Sequence, residues 1–239
     1  MKRLQIILFL FTNLYIFNVF AEKADSCFYV QADLANRWIW RGVAYSEAPV
    51  IQPSLGYATN KLNVSIWGSY PIERRAYSEI DFTLEYQFTS KFKLGMTDYF
   101  GINDSIGAKH HFFDMNRKTT MHMLDVYSVY KPSEKIPLSF LYSLWFWGSD
   151  RNSTTKKQNM SSYFEGRYEK NYGKVKTSAF AGMTLWKGFY ASHTAIVNIG
   201  IGVSKPITLG KLITIPTKIE FVLNPETQNT YINAIFTFK

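Results

Sequence analysis

The sequence predicts an all-β protein: a transmembrane, antiparallel, up-and-down β-barrel of about 12 strands with both termini on the periplasmic rim. Three observations predict it. Long stretches alternate apolar and polar residues with period two, which places one set on each face of a strand. The connections between these stretches alternate short and long, and the chain opens on a segment built like an export signal. Mean hydropathy is −0.14 although aromatics make up 17% of residues. A barrel hides its lipid face in alternation, so average hydropathy stays near neutral, whereas a bundle of membrane helices would be far more apolar.

The export signal comes first. Met1-Lys2-Arg3 leads into an apolar run from Leu4 to Phe20, interrupted by Gln5, Thr12, Asn13 and Asn18; Val19 and Ala21 are the small residues that a signal peptidase reads. Cleavage is expected after Ala21, which makes 1–21 a signal peptide and 22–239 the barrel. The alternative, a retained anchor, would need a longer and cleaner apolar run.

Strands follow at about 27–40, 49–59, 61–70, 77–89, 91–100, 120–131, 136–147, 160–170, 174–186, 194–205, 212–223 and 229–238. The clearest window is 77–100, where Ile80, Phe82, Leu84, Tyr86 and Phe88 alternate with Glu79, Asp81, Thr83, Glu85 and Gln87 before the pattern restarts at Phe92, Leu94 and Met96. The apolar set is expected to face lipid and the polar set the interior. Similar stripes run through Leu138 to Phe146, Val175 to Leu185, Ala195 to Val203 (Val197 included) and Ile232 to Phe238. The connections at Asn60, Ser90, 132–135, 171–173 and 206–211 are short, while 101–119 and 148–159 are long. Short turns on one rim and long loops on the other are the outer-membrane arrangement, and an even strand count closes the sheet without an edge. Pro53 and Pro216 fall within strands and predict a bulge or a rim position. A soluble secreted sandwich or lipocalin-like barrel would also alternate, but it does not account for the loop asymmetry.

Losing Lys2 and Arg3 with the signal leaves 25 basic against 18 acidic residues, about +7, spread over loops such as Arg74-Arg75 and Lys156-Lys157. That is too diffuse for a nucleic-acid partner. It suits an anionic lipid surface or anionic solutes. The lone Cys27 rules out an internal disulfide.

The segments "NRWIWRGVAYSEAPVIQPSLGY", "NVSIWGSY", "SEIDFTLEY" and "LGMTDYF" together resemble the TorF-type porin family of bacterial outer-membrane barrels. The likeness covers most of 27–100 and reaches the remainder chiefly through strand pattern. It implies a barrel and a channel, with no particular solute. The chain departs from such barrels in ending Phe238-Lys239 rather than on the aromatic that barrel-assembly machinery reads.

Two groups of side chains are candidates for a site. All six tryptophans fall at the long-loop rim. Trp38 and Trp40 have lipid-facing parity and fit an interfacial girdle, whereas Trp67, Trp145, Trp147 and Trp186 have inward parity and would form an aromatic vestibule for sugar rings. A packed constriction, or bulges that rotate them outward, is the alternative. The second group has the inward phase: Asp33, Arg37, Arg41, Glu79, Asp81, Glu85, Lys93, Asp125, Glu165, Arg167, Lys174, Lys176, Lys218 and Glu220. These either line a pore that favours anions or pair with one another and fill the interior. His110, His111, His122 and His193 lack a nearby serine in the arrangement of an outer-membrane lipase, and the sequence has no nucleophile elbow, so no enzyme and no cofactor are expected. A metal at His110-His111 with Asp114 is weaker than solvated loop histidines. The expectation is a bacterial outer-membrane channel for passive diffusion of small solutes. Its alternative is a closed structural or surface-interaction barrel without transport, and an outer-membrane enzyme comes third. The expected partners are outer-membrane lipid and lipopolysaccharide, barrel-assembly machinery and small solutes.

Overall fold

The computed structural model describes residues 27–73, 76–103, 111–210 and 213–239, so the signal segment lies outside the described residues. The elements are β1 (Cys27–Ala35), β2 (Trp38–Trp40), β3 (Val43–Ser46), β4 (Val50–Ala58), β5 (Leu62–Pro71), β6 (Tyr77–Thr89) and β7 (Phe92–Asn103). They continue with β8 (His122–Tyr130), β9 (Leu138–Gly148), β10 (Ser162–Tyr172), β11 (Val175–Thr184), β12 (Ala195–Leu209), β13 (Ile213–Asn224) and β14 (Asn229–Phe238). Twelve of them form one closed antiparallel barrel in chain order, β1 pairing with β4 on one side and with β14 on the other. The remaining two, β2 and β3, pair only with each other. Every expected barrel strand is present, with the short turns on the rim that carries the two ends of the barrel.

The period-two pattern reads directly as two faces. Along β6, Phe82, Leu84, Tyr86 and Phe88 are exposed on the outside while Glu79 and Asp81 are buried inside. Large apolar side chains cover the outer wall elsewhere, with Ile201 and Ile232 each 62% exposed. The side chains that water would solvate thus face in, and those it would not face out.

Three register shifts in the barrel wall re-aim side chains, as an extra residue in one strand does. Between β8 and β9, Leu124 pairs with Trp147 but Asp125 pairs with Trp145, so Phe146 is the extra residue and Trp147 takes the outward phase of Leu124. Between β11 and β12, Gly182 pairs with Asn198 and Met183 with Ile196. Val197 is the extra residue there, fully buried instead of facing out as its alternation predicts. The third shift lies between Gln87 and Thr89. Pro216 sits opposite Pro206 near the end of their strands, as expected. Pro53 causes no bulge: the β4–β5 ladder skips Gln52 and Pro53 without changing register, and Gln52 Nε2 bridges the gap by donating to Ser69 Oγ at 3.2 Å.

The first expected strand, 27–40, is too long. β1 leaves the wall after Ala35, and the next ten or so residues turn into the lumen instead of extending the sheet. Asn36 takes over the pairing at that point. Its backbone N–H donates to Ala234 O at 3.1 Å, its Oδ1 accepts from Ala234 N at 2.7 Å and its Nδ2 donates to Ile232 O at 3.2 Å.

Candidate functional site: a hairpin across the lumen

The β2–β3 hairpin turns through Arg41 and Gly42, which have φ of 49° and 79°. Positive φ at both central residues is the geometry of the two-residue hairpin turn that matches strand twist. Gly42 is required twice over: a Cβ there would lie 2.0 Å from the Val197 carbonyl oxygen on β12. Asn224 Nδ2 on β13 donates to Gly42 O at 3.0 Å.

Arg41 reaches the wall opposite β1. Its Nη1 donates to Ser143 Oγ and to Tyr190 OH, both at 2.9 Å, and its Nη2 lies 3.4 Å from Asp125 Oδ2. The guanidinium also covers the rings of Trp40 at 4.3 Å and Tyr163 at 4.7 Å. The Asp125 carboxylate supplies the counter-charge that the buried guanidinium needs. Asp125 is fully buried and also accepts from Ser143 Oγ at 2.7 Å and from Tyr99 OH at 3.1 Å.

Aromatic rings complete the partition. Centroid contacts run from Trp67 on β5 to Trp38 (5.6 Å), Tyr45 (4.7 Å), Trp40 (6.0 Å), Trp145 on β9 (5.8 Å), Tyr190 (5.5 Å) and Tyr163 on β10 (5.4 Å). The segment between β11 and β12 supplies Tyr190 and also Phe189, which stacks on Tyr45 at 6.5 Å. Two inward-folded segments therefore meet across the lumen near the long-loop rim.

The four expected vestibule residues separate. Trp67 and Trp145 belong to the partition. Trp147 is turned outward by the bulge, and Trp186 is exposed in the β11–β12 connection, donating from Nε1 to Met160 O at 2.8 Å. Trp38 and Trp40, expected to face lipid, lie inside instead, because strand parity does not carry past the break at Asn36. The partition is packed: Trp145 is 1% and Trp38 5% exposed.

Of the expected charges, most are inward and paired. Beside Arg41–Asp125, Lys93 pairs with Glu85, Arg167 with Glu165 at 2.8 Å and Lys218 with Glu220 at 3.1 Å. Lys176 pairs with Glu169 at 2.9 Å near the short-turn rim, and Arg37 with Glu47 at 2.9 Å. Lys174, expected to face inward, instead sits exposed in the Gly173-Lys174 turn, outside β11. Asp33, Glu79 and Asp81 have no basic partner among the described residues.

His193 has Ser192 Oγ 3.3 Å from Nδ1 and Glu226 Oε2 3.6 Å from Nε2. The Glu226 contact is too long for a hydrogen bond, and the imidazole is 63% exposed. His110 lies outside the described residues. Asp114 instead organises its own loop: Thr119 and the Asn116 N–H hold its carboxyl below the usual carboxylate range. Sequence reading missed the pair Asp98–His122 on the outer face. His122 is 1% exposed, contacts Asp98 Oδ2 at 2.8 Å and donates from Nε2 to Phe112 O at 2.6 Å. Phe112 in turn packs on Phe82 and Phe100, so part of the long loop lies against the outer wall.

No family model matches the chain, and no curated protein matches it. A solved structure from work named "Unveiling the Mechanism Behind the in-meso Crystallization of Membrane Proteins" is similar over 88% of this chain and 82% of its own, with TM-score 0.46 and 11% identity.

Proposed function

We propose that this chain is a bacterial outer-membrane barrel that passes small solutes by passive diffusion, through a lumen that hairpin β2–β3 narrows to a gate. The observation that carries this reading is the inversion of polarity. The closed wall turns its large apolar side chains outward and exposed, while charged and hydroxyl side chains face a lumen that holds cavities on both sides of the hairpin. A water-soluble barrel of this size would bury its apolar set inside. Hydrocarbon outside and water inside satisfy both faces at once.

Both termini would then lie on the periplasmic rim, with hairpin and long loops toward the outside. The cavity on the loop side has a volume of about 310 Å³, and two on the opposite side have volumes of about 430 and 360 Å³. Size exclusion at the hairpin and charge along the wall would set selectivity. The resemblance of 27–100 to TorF-type porins points the same way.

A second reading, a permanently closed barrel, is favoured by the continuous aromatic partition. Conductance across planar bilayers separates the two. The wild type is expected to give small steps, and Arg41→Ala or Gly42→Ala, which unseat the hairpin tip, larger ones. Absence of steps in all three proteins would exclude the channel.

A further inference from the structure

Charge pairing in the lumen leaves a remainder of one sign. Every inward base named above has an acid beside it, whereas Glu79 and Asp81 have no base. These two carboxylates stand two residues apart on the inner face of β6, 6% and 9% exposed. Glu79 accepts a hydrogen bond from Tyr77 OH. Asp81 Oδ1 has no hydrogen-bond partner, and neither has Oδ1 of Asn233, which is 5% exposed on β14. Glu79 and Asp81 also hydrogen-bond each other, which takes a proton held between them. Ionising both without a counter-charge would be costly, and so is a buried acceptor left unpaired.

All three residues border one cavity of about 240 Å³, together with the indoles of Trp38, Trp40 and Trp67. Arg37 borders it too, but its Nη1 is held by Glu47, its Nε meets no acceptor, and it forms no ion pair with Glu79 or Asp81. The cavity is also a junction. Glu79 borders the loop-side cavity, and Asp81, with Trp40 and Trp67, borders the cavity that opens toward Glu85 and Lys93.

We infer that this cavity binds a small organic ammonium ion, through the carboxylates of Glu79 and Asp81 and the surrounding indoles. Carboxylates supply the counter-charge, and indole is the side chain whose π-face attracts a cation most strongly. A bare metal ion fits less well, because no group of three or more His, Cys, Asp or Glu that could hold one exists among the described residues. The inference deepens the channel reading by naming a solute class, and it replaces the anion preference suggested by overall charge. It rests on that reading for passage but not for binding.

The test uses the purified full barrel in detergent, with tryptophan emission followed during titration with tetramethylammonium chloride. Sodium chloride at matched ionic strength and tert-butanol serve as the inorganic and neutral controls. A saturable change with tetramethylammonium alone is expected, weakened about tenfold or more in the Glu79→Gln, Asp81→Asn double variant. Trp67→Leu, which leaves both acids in place, is expected to weaken it as well and serves if the double variant fails to assemble. The site is overturned by an unsaturable response, by an equal response to either control, or by unchanged affinity in the variants. A bilayer recording on the same preparation separates the two ideas: saturable binding without conductance removes the channel and keeps the site, and conductance without binding does the reverse.

Discussion

Arg41 is held at once by Ser143, Tyr190 and Asp125 and lies over two rings, and these partners come from β8, β9, β10, the β11–β12 segment and its own hairpin. Such a side chain acts as a positioning residue, since it fixes where the hairpin tip rests. Its dependence on Asp125 follows from burial. Removing one member of a buried pair strands the other charge, at a cost of about 3–5 kcal/mol, whereas replacing both with apolar groups of similar volume is close to neutral. Asp125→Ala should therefore lower the urea midpoint of the detergent-folded barrel markedly, and Arg41→Met with Asp125→Leu should recover much of the loss. Equal midpoints for wild type and Asp125→Ala would mean that the pair adds nothing to stability. Little of this was legible in the chain. Inward phase identified Arg41 and Asp125 as lumen residues, but nothing in the letters brings together two positions 84 apart.

At the scale of elements, local pattern set the strands and bulges decided the exceptions. Trp145 and Trp147 share a parity in the sequence, yet one is packed in the partition and the other faces out, because Phe146 is inserted between them and the β8 ladder. Truncating a large buried aromatic costs about 3–5 kcal/mol through lost contacts and the cavity left behind. Trp145→Ala should lower the melting temperature and weaken the near-ultraviolet circular dichroism of the stacked indoles, while Trp147→Ala should leave that signal intact. The reverse order would place the bulge elsewhere. Val197 is the counterpart: a residue that alternation assigns to the outer wall is drawn inside by a bulge and packs with Trp145, Tyr163 and Tyr190.

For the whole molecule, closure is the controlling event, since a membrane barrel with an open edge would leave backbone groups unpaired in hydrocarbon. The closing seam is short. β1 pairs with β14 only from Ala32 to Ala35, against nine residue pairs between β1 and β4. Asn36 lengthens the seam with its side chain just where β1 bends into the lumen. Replacing it with alanine removes two hydrogen bonds, each contributing about 1 kcal/mol. Faster amide exchange at Ile232 to Ala234 in Asn36→Ala, with little change in β6 and β7, is the expected result. Uniform exchange across the barrel would mean that the seam is not its weak point.

By itself the sequence determined the all-β class, the twelve wall strands and which face of each is apolar. These follow from alternation between neighbouring residues and from turn lengths, which no distant contact needs to supply. Only the tertiary structure decided what occupies the lumen. A two-residue turn at Arg41-Gly42 carries the same local signals whether it projects into solvent or folds inward. The choice depends on the closed barrel, on the Val197 carbonyl that lies so close to Gly42 that no side chain fits there, and on the buried carboxylate of Asp125 on the opposite wall.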